Sequence, residues 1–288
     1  MKTSSSRTSR QEIAIALLHR LGYSTIRNMS LRIRRRPVAR FVAFHDIPPS
    51  TRMQFETNLL FLKARTNVIS LDDFFEGRLS SDRINVGITF DDGYKDWMDY
   101  ALPALRKLEL PATFFVSSGF LDAPDKHRKE FTHQDGASPR NRSGVDRCLS
   151  REDVKKIADL GFSVGGHTLS HCRLSKLGDY ARVRDEICSD KKNLERITGR
   201  EVKYFAYPFG ATENVDLSLS SILSESGFKG ALTIISGFNT PTTDPYGLHR
   251  DLTRAAMHPW VFHAKVLGNG DALTRLLGRI PKSRKRDG

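Results

Sequence analysis

Cysteine is scarce in this 288-residue chain. Cys148, Cys172 and Cys188 are an odd number with no metal-site spacing among them, which excludes a disulfide-stapled scaffold or a cysteine-ligated zinc module and suits a reducing compartment. Long apolar runs are also missing: none approaches the ~20 residues that span a bilayer. The amino terminus has a short apolar stretch, Ile13 to Leu18, broken at His19 and Arg20 and followed by no small-residue cleavage site. No signal peptide is expected, and the expected location is the cytoplasm or the inner face of a membrane, with export as the alternative.

Acidic charge is lacking at the two ends. Residues 1–40 carry ten Lys/Arg against one acidic residue, and residues 275–288 carry six against one, while the stretch 41–274 is close to neutral. The overall charge of +13 is therefore not spread over a domain that tracks a phosphate backbone, and a nucleic-acid partner is not expected. Solvated basic ends are the simple reading. Contact with an anionic membrane surface is the sharper one, because residues 11–36 interleave Ile, Leu and Met with Arg.

Between the ends, short apolar runs close on polar or glycine-rich segments. They are Phe41–Phe44, Val68-Ile69, Ile84–Phe90, Ala112–Val116, Phe162–Val164, Tyr204–Tyr207 and Ala231–Ile235, and their length and β-branched or aromatic content predict buried strands. Helical patterns alternate with them over Trp97–Leu108, from an N-cap at Ser150 to a stop at Gly161, over Tyr180–Ile197 and over Leu217–Ser226. Such alternation over some two hundred residues predicts a parallel α/β architecture, either a barrel or a doubly wound sheet. Segment 121–149 is polar and aperiodic and reads as a surface insertion. The expected organisation is a basic extension (1–37), one α/β domain (38–265) and a basic tail (266–288).

The residues able to do chemistry follow these strands: His45-Asp46, Asp91-Asp92-Gly93, Gly165-Gly166-His167 with His171 four residues on, and Tyr207-Pro208-Phe209-Gly210. In parallel α/β folds the carboxyl ends of the strands share one rim, so four segments deliver His, Asp and backbone groups to one place. Taken singly each is weak. Asp-Asp-Gly is commonly a turn, the aromatic pair around Pro208 suits simple packing, and a histidine at a strand end is commonly a buried, hydrogen-bonded one. His167 and His171 share a face if a helical turn begins there, and two histidines with one carboxylate leave open positions on Zn²⁺ or a similar ion.

Thr89-Phe-Asp-Asp-Gly93, His167-Thr-Leu-Ser-His171 and Phe205-Ala-Tyr-Pro-Phe-Gly210 resemble, in order and spacing, the first three motifs of the polysaccharide deacetylases (the NodB-homology domain, carbohydrate esterase family 4). The resemblance covers about residues 40–255 and implies a distorted (β/α) barrel of about seven parallel strands. It implies a hydrolase that removes N-acetyl groups from N-acetylhexosamine units of a glycan or glycan precursor. One divalent ion is implied, Zn²⁺ first with Co²⁺ or Ni²⁺ as alternatives, held by Asp92, His167 and His171. It further implies Asp91 as general base, the Phe209 N–H as an oxyanion donor, and Tyr207 with Phe209 against the substrate.

Two departures stand out. Many members carry an arginine in the third motif that orients the catalytic aspartate; here that position is Ala206, and Arg250 is the candidate to supply the charge from another strand. The leucine-x-histidine that supplies the general acid is not cleanly present. Phe41-Val-Ala-Phe-His-Asp46 instead resembles the early histidine of biofilm-type exopolysaccharide deacetylases, which makes His45 the expected acid and His249 the alternative. A deacylase for another sugar N-acyl or O-acyl group, and a catalytically silent glycan-binding relative, are the competing readings.

Overall fold

The computed structural model describes residues 37–122 and 148–268. The basic extension up to residue 36, the insertion between 123 and 147, and the tail beyond 268 lie outside the described residues, so the expectations placed on them are not addressed by the fold.

Eight short strands are present among the described residues: β1 (Ala39–Phe44), β2 (Asn67–Ile69), β3 (Asn85–Phe90), β4 (Thr113–Val116), β5 (Ser163–Gly166), β6 (Tyr204–Ala206), β7 (Gly230–Leu232) and β8 (Arg250–Leu252). Seven follow one another in the order β7-β6-β5-β4-β3-β1-β8, every pairing parallel. Leu248, just before β8, bridges Leu232 of β7, so the sheet is a nearly closed seven-stranded barrel. β2 is the distortion. β1 pairs with all six residues of β3, and the other edge of β3 is shared, with β2 alongside Asn85–Gly87 and β4 alongside Thr89-Phe90.

Side-chain alternation sorts the strands into an inside and an outside. Phe41, Phe115, Tyr204, Ala206, Leu232 and Leu248 form the interior cluster. Val42, Phe44, Val86, Ile88, Phe90, Phe114, Val164 and Phe205 pack outward under the helices. Two interior aromatics fit because glycines face them: a Cβ on Gly87 would lie 2.4 Å from the Phe41 ring, and one on Gly165 would lie 2.4 Å from the Phe115 ring. The amino-terminal mouth of the barrel is plugged by a short helix, α2 (Leu71–Phe75), whose Leu71 and Phe74 join the interior cluster. Chemistry is thereby left to the opposite mouth.

The outer layer contains α1 (Arg52–Arg65), α3 (Leu102–Lys107), α4 (Arg151–Asp159), α5 (Tyr180–Thr198), α6 (Ser220–Glu225) and α7 (Pro259–Val266). Ser150 caps α4 in a reciprocal box with Asp153, as its sequence predicts. α5 ends on Gly199 in the left-handed region. The predicted Trp97–Leu108 helix begins as a wide π turn, Trp97–Ala101, before it narrows into α3. Pro103 has no N–H to give to the preceding turn, which accounts for the irregular start. β7 is shorter than the apolar run Ala231–Ile235 that predicts it: the chain leaves the strand after Leu232, although Thr233 N–H still reaches Leu248 O at 2.9 Å.

Candidate metal centre and active site

At the carboxyl mouth, strand alternation alone would send two adjacent aspartates to opposite faces. Asp91 continues the β3 ladder, its N–H bonding Phe44 O at 3.0 Å, and its side chain is buried. Asp92 has φ +84, which breaks the alternation and turns the second carboxylate into the same rim. Among the described residues six non-glycine positions have positive φ, and Asp92, Thr168, His171 and Phe209 among them belong to the motif segments. Each such residue costs on the order of 1 kcal/mol or more, so backbone strain is concentrated where the chemistry was expected.

Asp92 Oδ1 lies 3.2 Å from His167 Nε2 and 3.1 Å from His171 Nε2, and the donor atoms of the three residues lie within 4.8 Å of one another. Two ligand atoms at zinc distance and tetrahedral angles stand about 3.3 Å apart, which the two Asp92–histidine separations match. His167 Nδ1 bonds Ala206 O at 2.7 Å. A carbonyl accepts only, so Nδ1 carries the proton and the Nε2 lone pair is left for a cation, the usual arrangement of a metal-ligating histidine. Burial alone would raise the Asp92 carboxyl, but the imidazoles of His45, His171 and His167 around it hold it well below its usual range. The donor set therefore fits one divalent ion. Cys172, next in the chain to His171, is not part of this donor group, and burial with the nearby Glu186 pushes its thiol up to about 12.

The two histidines do not share a helical face. Residues 167–171 form a loop whose two left-handed residues, Thr168 and His171, bring the imidazoles to within 4.9 Å of each other. Spacing of four pointed to the right pair through the wrong local structure.

Asp91 sits beside this set and takes a hydrogen bond from Arg250 Nη1 at 2.6 Å. Arg250 comes from β8, and its guanidinium also reaches Thr89 Oγ1 at 3.1 Å and, through Nε, Thr233 O at 2.9 Å. Ala206, at the position where the family resemblance implies an arginine, faces the same interior, and here an arginine from a different strand meets the aspartate. His45 follows β1, with Nε2 3.9 Å from Asp92 Oδ2. Side-chain exposure rises from 2% at His167 through 15% at His171 and 20% at Asp92 to 32% at His45, so the centre opens to solvent on the His45 side. His249 is elsewhere. The β1–β8 register pairs Phe41 with Arg250, which sets His249 level with Arg40, roughly 16 Å down the barrel from His45 at ~3.3 Å per residue.

Phe209 has φ +54, and its ring packs between the His171 ring at 4.9 Å and the Arg173 guanidinium at 4.1 Å. Asn214 holds the turn by donating to Phe209 O at 2.8 Å, and no acceptor among the described residues takes the Phe209 N–H. Tyr207 corrects the expectation placed on it. It shares the outward parity of Phe205, is 2% exposed, and gives its hydroxyl to Tyr246 O at 3.0 Å, so its side chain packs under the helices rather than facing substrate. The sequence reading also missed Asp96 and Trp97. Asp96 Oδ2 accepts the Ile47 N–H and Trp97 Nε1 donates to His45 O, so the segment after the first motif holds the His45 loop. The described ends of the 121–149 segment meet near the same motif, Leu149 N–H bonding Gly93 O at 3.0 Å.

A family model described as polysaccharide deacetylase matches residues 79–230, and the chain belongs to that family. It is 25% identical over 179 residues to YxkH of Bacillus subtilis, a match covering 62% of this chain and 55% of that protein. It is 22% identical over 213 residues to a poly-beta-1,6-N-acetyl-D-glucosamine N-deacetylase of Staphylococcus aureus, covering 70% and 67% respectively. The match thus spans little more than half the length of YxkH. Among solved structures, IcaB from Ammonifex degensii superposes with a TM-score of 0.63 at 23% identity, over 80% of this chain and 97% of that one. A polysaccharide deacetylase from Bacillus cereus gives 0.62 at 22%, over 80% and 69%. These likenesses establish the barrel.

Proposed function

We propose that this chain is a metal-dependent hydrolase that removes N-acetyl groups from N-acetylhexosamine units of a glycan or glycan precursor. The observation that carries the reading is the Arg250-paired Asp91 standing beside the Asp92–His167–His171 set. The first residue is buried and oriented by a guanidinium, and the other three are arranged for a cation. An acetamide is a poor electrophile, and its hydrolysis needs carbonyl polarisation, an activated water and a proton for the departing amine. A divalent ion held by Asp92, His167 and His171, with Zn²⁺ as first choice, supplies Lewis acidity toward the carbonyl and acidifies water when bound.

The protein's own groups divide the remaining work. Asp91 accepts the proton of the attacking water, and Arg250 fixes the direction of its carboxylate. The Phe209 N–H, held by the left-handed turn, donates to the developing oxyanion. His45, on the solvent side, gives a proton to the leaving amine. The N-acetylhexosamine assignment draws on the activity for which the staphylococcal relative is named. Contact of the basic ends with an anionic membrane, and a cytoplasmic or inner-face location, belong to the same proposal and rest on charge and sequence alone.

The test is acetate release from N-acetylated oligosaccharides by purified protein, with and without added Zn²⁺ or Co²⁺ and with a strong chelator. Activity should follow bound metal at about one ion per chain. Full activity in chelator, with metal analysis showing none bound, overturns the mechanism.

A further inference from the structure

The loop carrying both histidines owes its shape to a helix that supplies no ligand. None of residues 167–171 belongs to a helix or strand, and two of them are in the left-handed region, so their backbone groups need partners elsewhere. Those partners sit on α5. Its buried stripe runs Val183, Ile187, Asp190, Leu194, and Asp190 occupies a place where an apolar residue would be ordinary. Asp190 Oδ2 accepts the His167 N–H at 2.8 Å, and Oδ1 accepts the Ser118 N–H at 2.8 Å. One turn earlier, Glu186 Oε2 accepts the Ser170 N–H at 2.8 Å and Oε1 accepts the Ser170 hydroxyl at 2.7 Å. The Glu186 carbonyl takes the Leu169 N–H at 3.0 Å. Ser117 Oγ completes the set by donating to His167 O at 2.8 Å.

We propose that Glu186 and Asp190 are positioning residues that hold the 167–171 loop in a form with both imidazoles already aimed at one cation, an inference that rests on the metal-centre reading above. Neither carboxylate touches the metal position. Their contribution is to satisfy the N–H groups of a strained loop that would otherwise relax toward ordinary φ values and separate the two rings.

The two carboxylates differ in a way that makes the inference testable. Glu186 faces the Ser170 N–H, the Ser170 hydroxyl and the Cys172 thiol, and a hydroxyl or a thiol can donate or accept. A glutamine there keeps both Ser170 bonds, its oxygen on the Ser170 N–H and its NH₂ donating to Ser170 Oγ. Asp190 faces two N–H groups with the Ser118 hydroxyl beside them, and an asparagine there keeps one of the two N–H bonds and sets its NH₂ against the other N–H. The experiment measures Zn²⁺ affinity of the full chain by competition with a chromogenic chelator, and the visible spectrum of the Co²⁺ form. The proteins are wild type, Glu186→Gln, Glu186→Ala and Asp190→Asn, each checked for fold by circular dichroism. Glu186→Gln should match wild type, while Glu186→Ala and Asp190→Asn weaken Zn²⁺ binding about 10–100-fold and alter the Co²⁺ bands. If Asp190→Asn does not fold, the Glu186 pair decides alone. Wild-type affinity and spectrum in folded Glu186→Ala overturn the inference, as does a Glu186→Gln protein as weak as Glu186→Ala, which would assign the effect to charge. A wild-type chain that binds neither ion overturns the metal-centre reading and the inference with it; failure of the inference alone leaves wild-type binding intact.

Discussion

His45 and Arg250 are the residues on which the proposed chemistry is most exposed to test. His45 lies on the open side of the centre, outside the three-residue donor set, so removing it should separate proton transfer from metal binding. His45→Ala should keep its ion and lose about 10²–10⁴ in kcat, the usual worth of a positioned acid. His249→Ala should be mild in both respects, because His249 is at the level of Arg40. A crippled His249→Ala that still binds metal, beside a near-normal His45→Ala, would transfer the acid role. Arg250 makes three bonds through its fork, to Asp91, Thr89 and Thr233. A lysine reaches one of these at a time, so Arg250→Lys should retain metal while kcat falls at least tenfold, about 1.4 kcal/mol of barrier. Unchanged kcat in that variant would show that Asp91 needs no partner from β8.

At the scale of elements, the legible parts were those whose pattern is local. Strand-length apolar runs marked β1 to β7, and a Ser150 cap with a Gly161 stop marked α4. β8 was not legible, because two of its three residues, Arg250 and Asp251, are charged and are buried by partners far away in sequence. Helices α1, α2 and α7 were missed, and in α1 charged and apolar residues are mixed around the helix. Tyr207 was misread because the motif resemblance carries no parity, whereas alternation from Phe205 sends its ring outward. Two element-scale outcomes follow. Gly87→Ala should destabilise by about 1–3 kcal/mol through overpacking against Phe41, and Phe41→Leu should offset part of that in a double-mutant cycle; strictly additive effects would mean the two do not meet. Capping has a pH signature. Burial alone would raise the Asp72, Asp73 and Asp153 carboxyls, but hydrogen bonds from Tyr204 with Lys203, from Ser70 and from Lys95 respectively lower all three below 3.8. Carboxyls lowered on folding stabilise above their unfolded values and lose that contribution as pH falls through the folded ones. Urea midpoints should therefore drop on acidification below about pH 4, and Asp153→Asn should flatten that slope; a variant with the parent's slope would remove the α4 cap from the account.

At the scale of the molecule, the described body is a barrel closed by β8, and the charge excess lies outside that body. Closure depends on a buried ion pair on the outer face, Arg40 of β1 with Asp251 of β8, where Asp251 also takes the Ser236 hydroxyl at 2.7 Å and Phe238 covers the guanidinium at 4.0 Å. Removing one partner strands the other charge in the seam, so Asp251→Ala should cost about 3–5 kcal/mol and lower Tm by roughly 10 °C. Because β8 also carries Arg250, activity should fall in the same variant before global unfolding begins. The ends pose a separate question. Residues 1–36 hold nine Lys/Arg and one acidic residue, and 279–288 hold five against one, whereas every proposed site residue lies in the near-neutral body. Deleting both stretches should leave the rate on a soluble oligosaccharide close to that of the full chain. The full chain should sediment with anionic vesicles at low salt and detach as salt rises, since each basic residue near such a surface is worth about 1 kcal/mol and is screened within a Debye length. The truncated chain should stay in the supernatant. A full chain that ignores anionic vesicles at low salt would refute membrane contact and leave the barrel's chemistry untouched, and a truncated chain that still sediments would move the contact to the folded body.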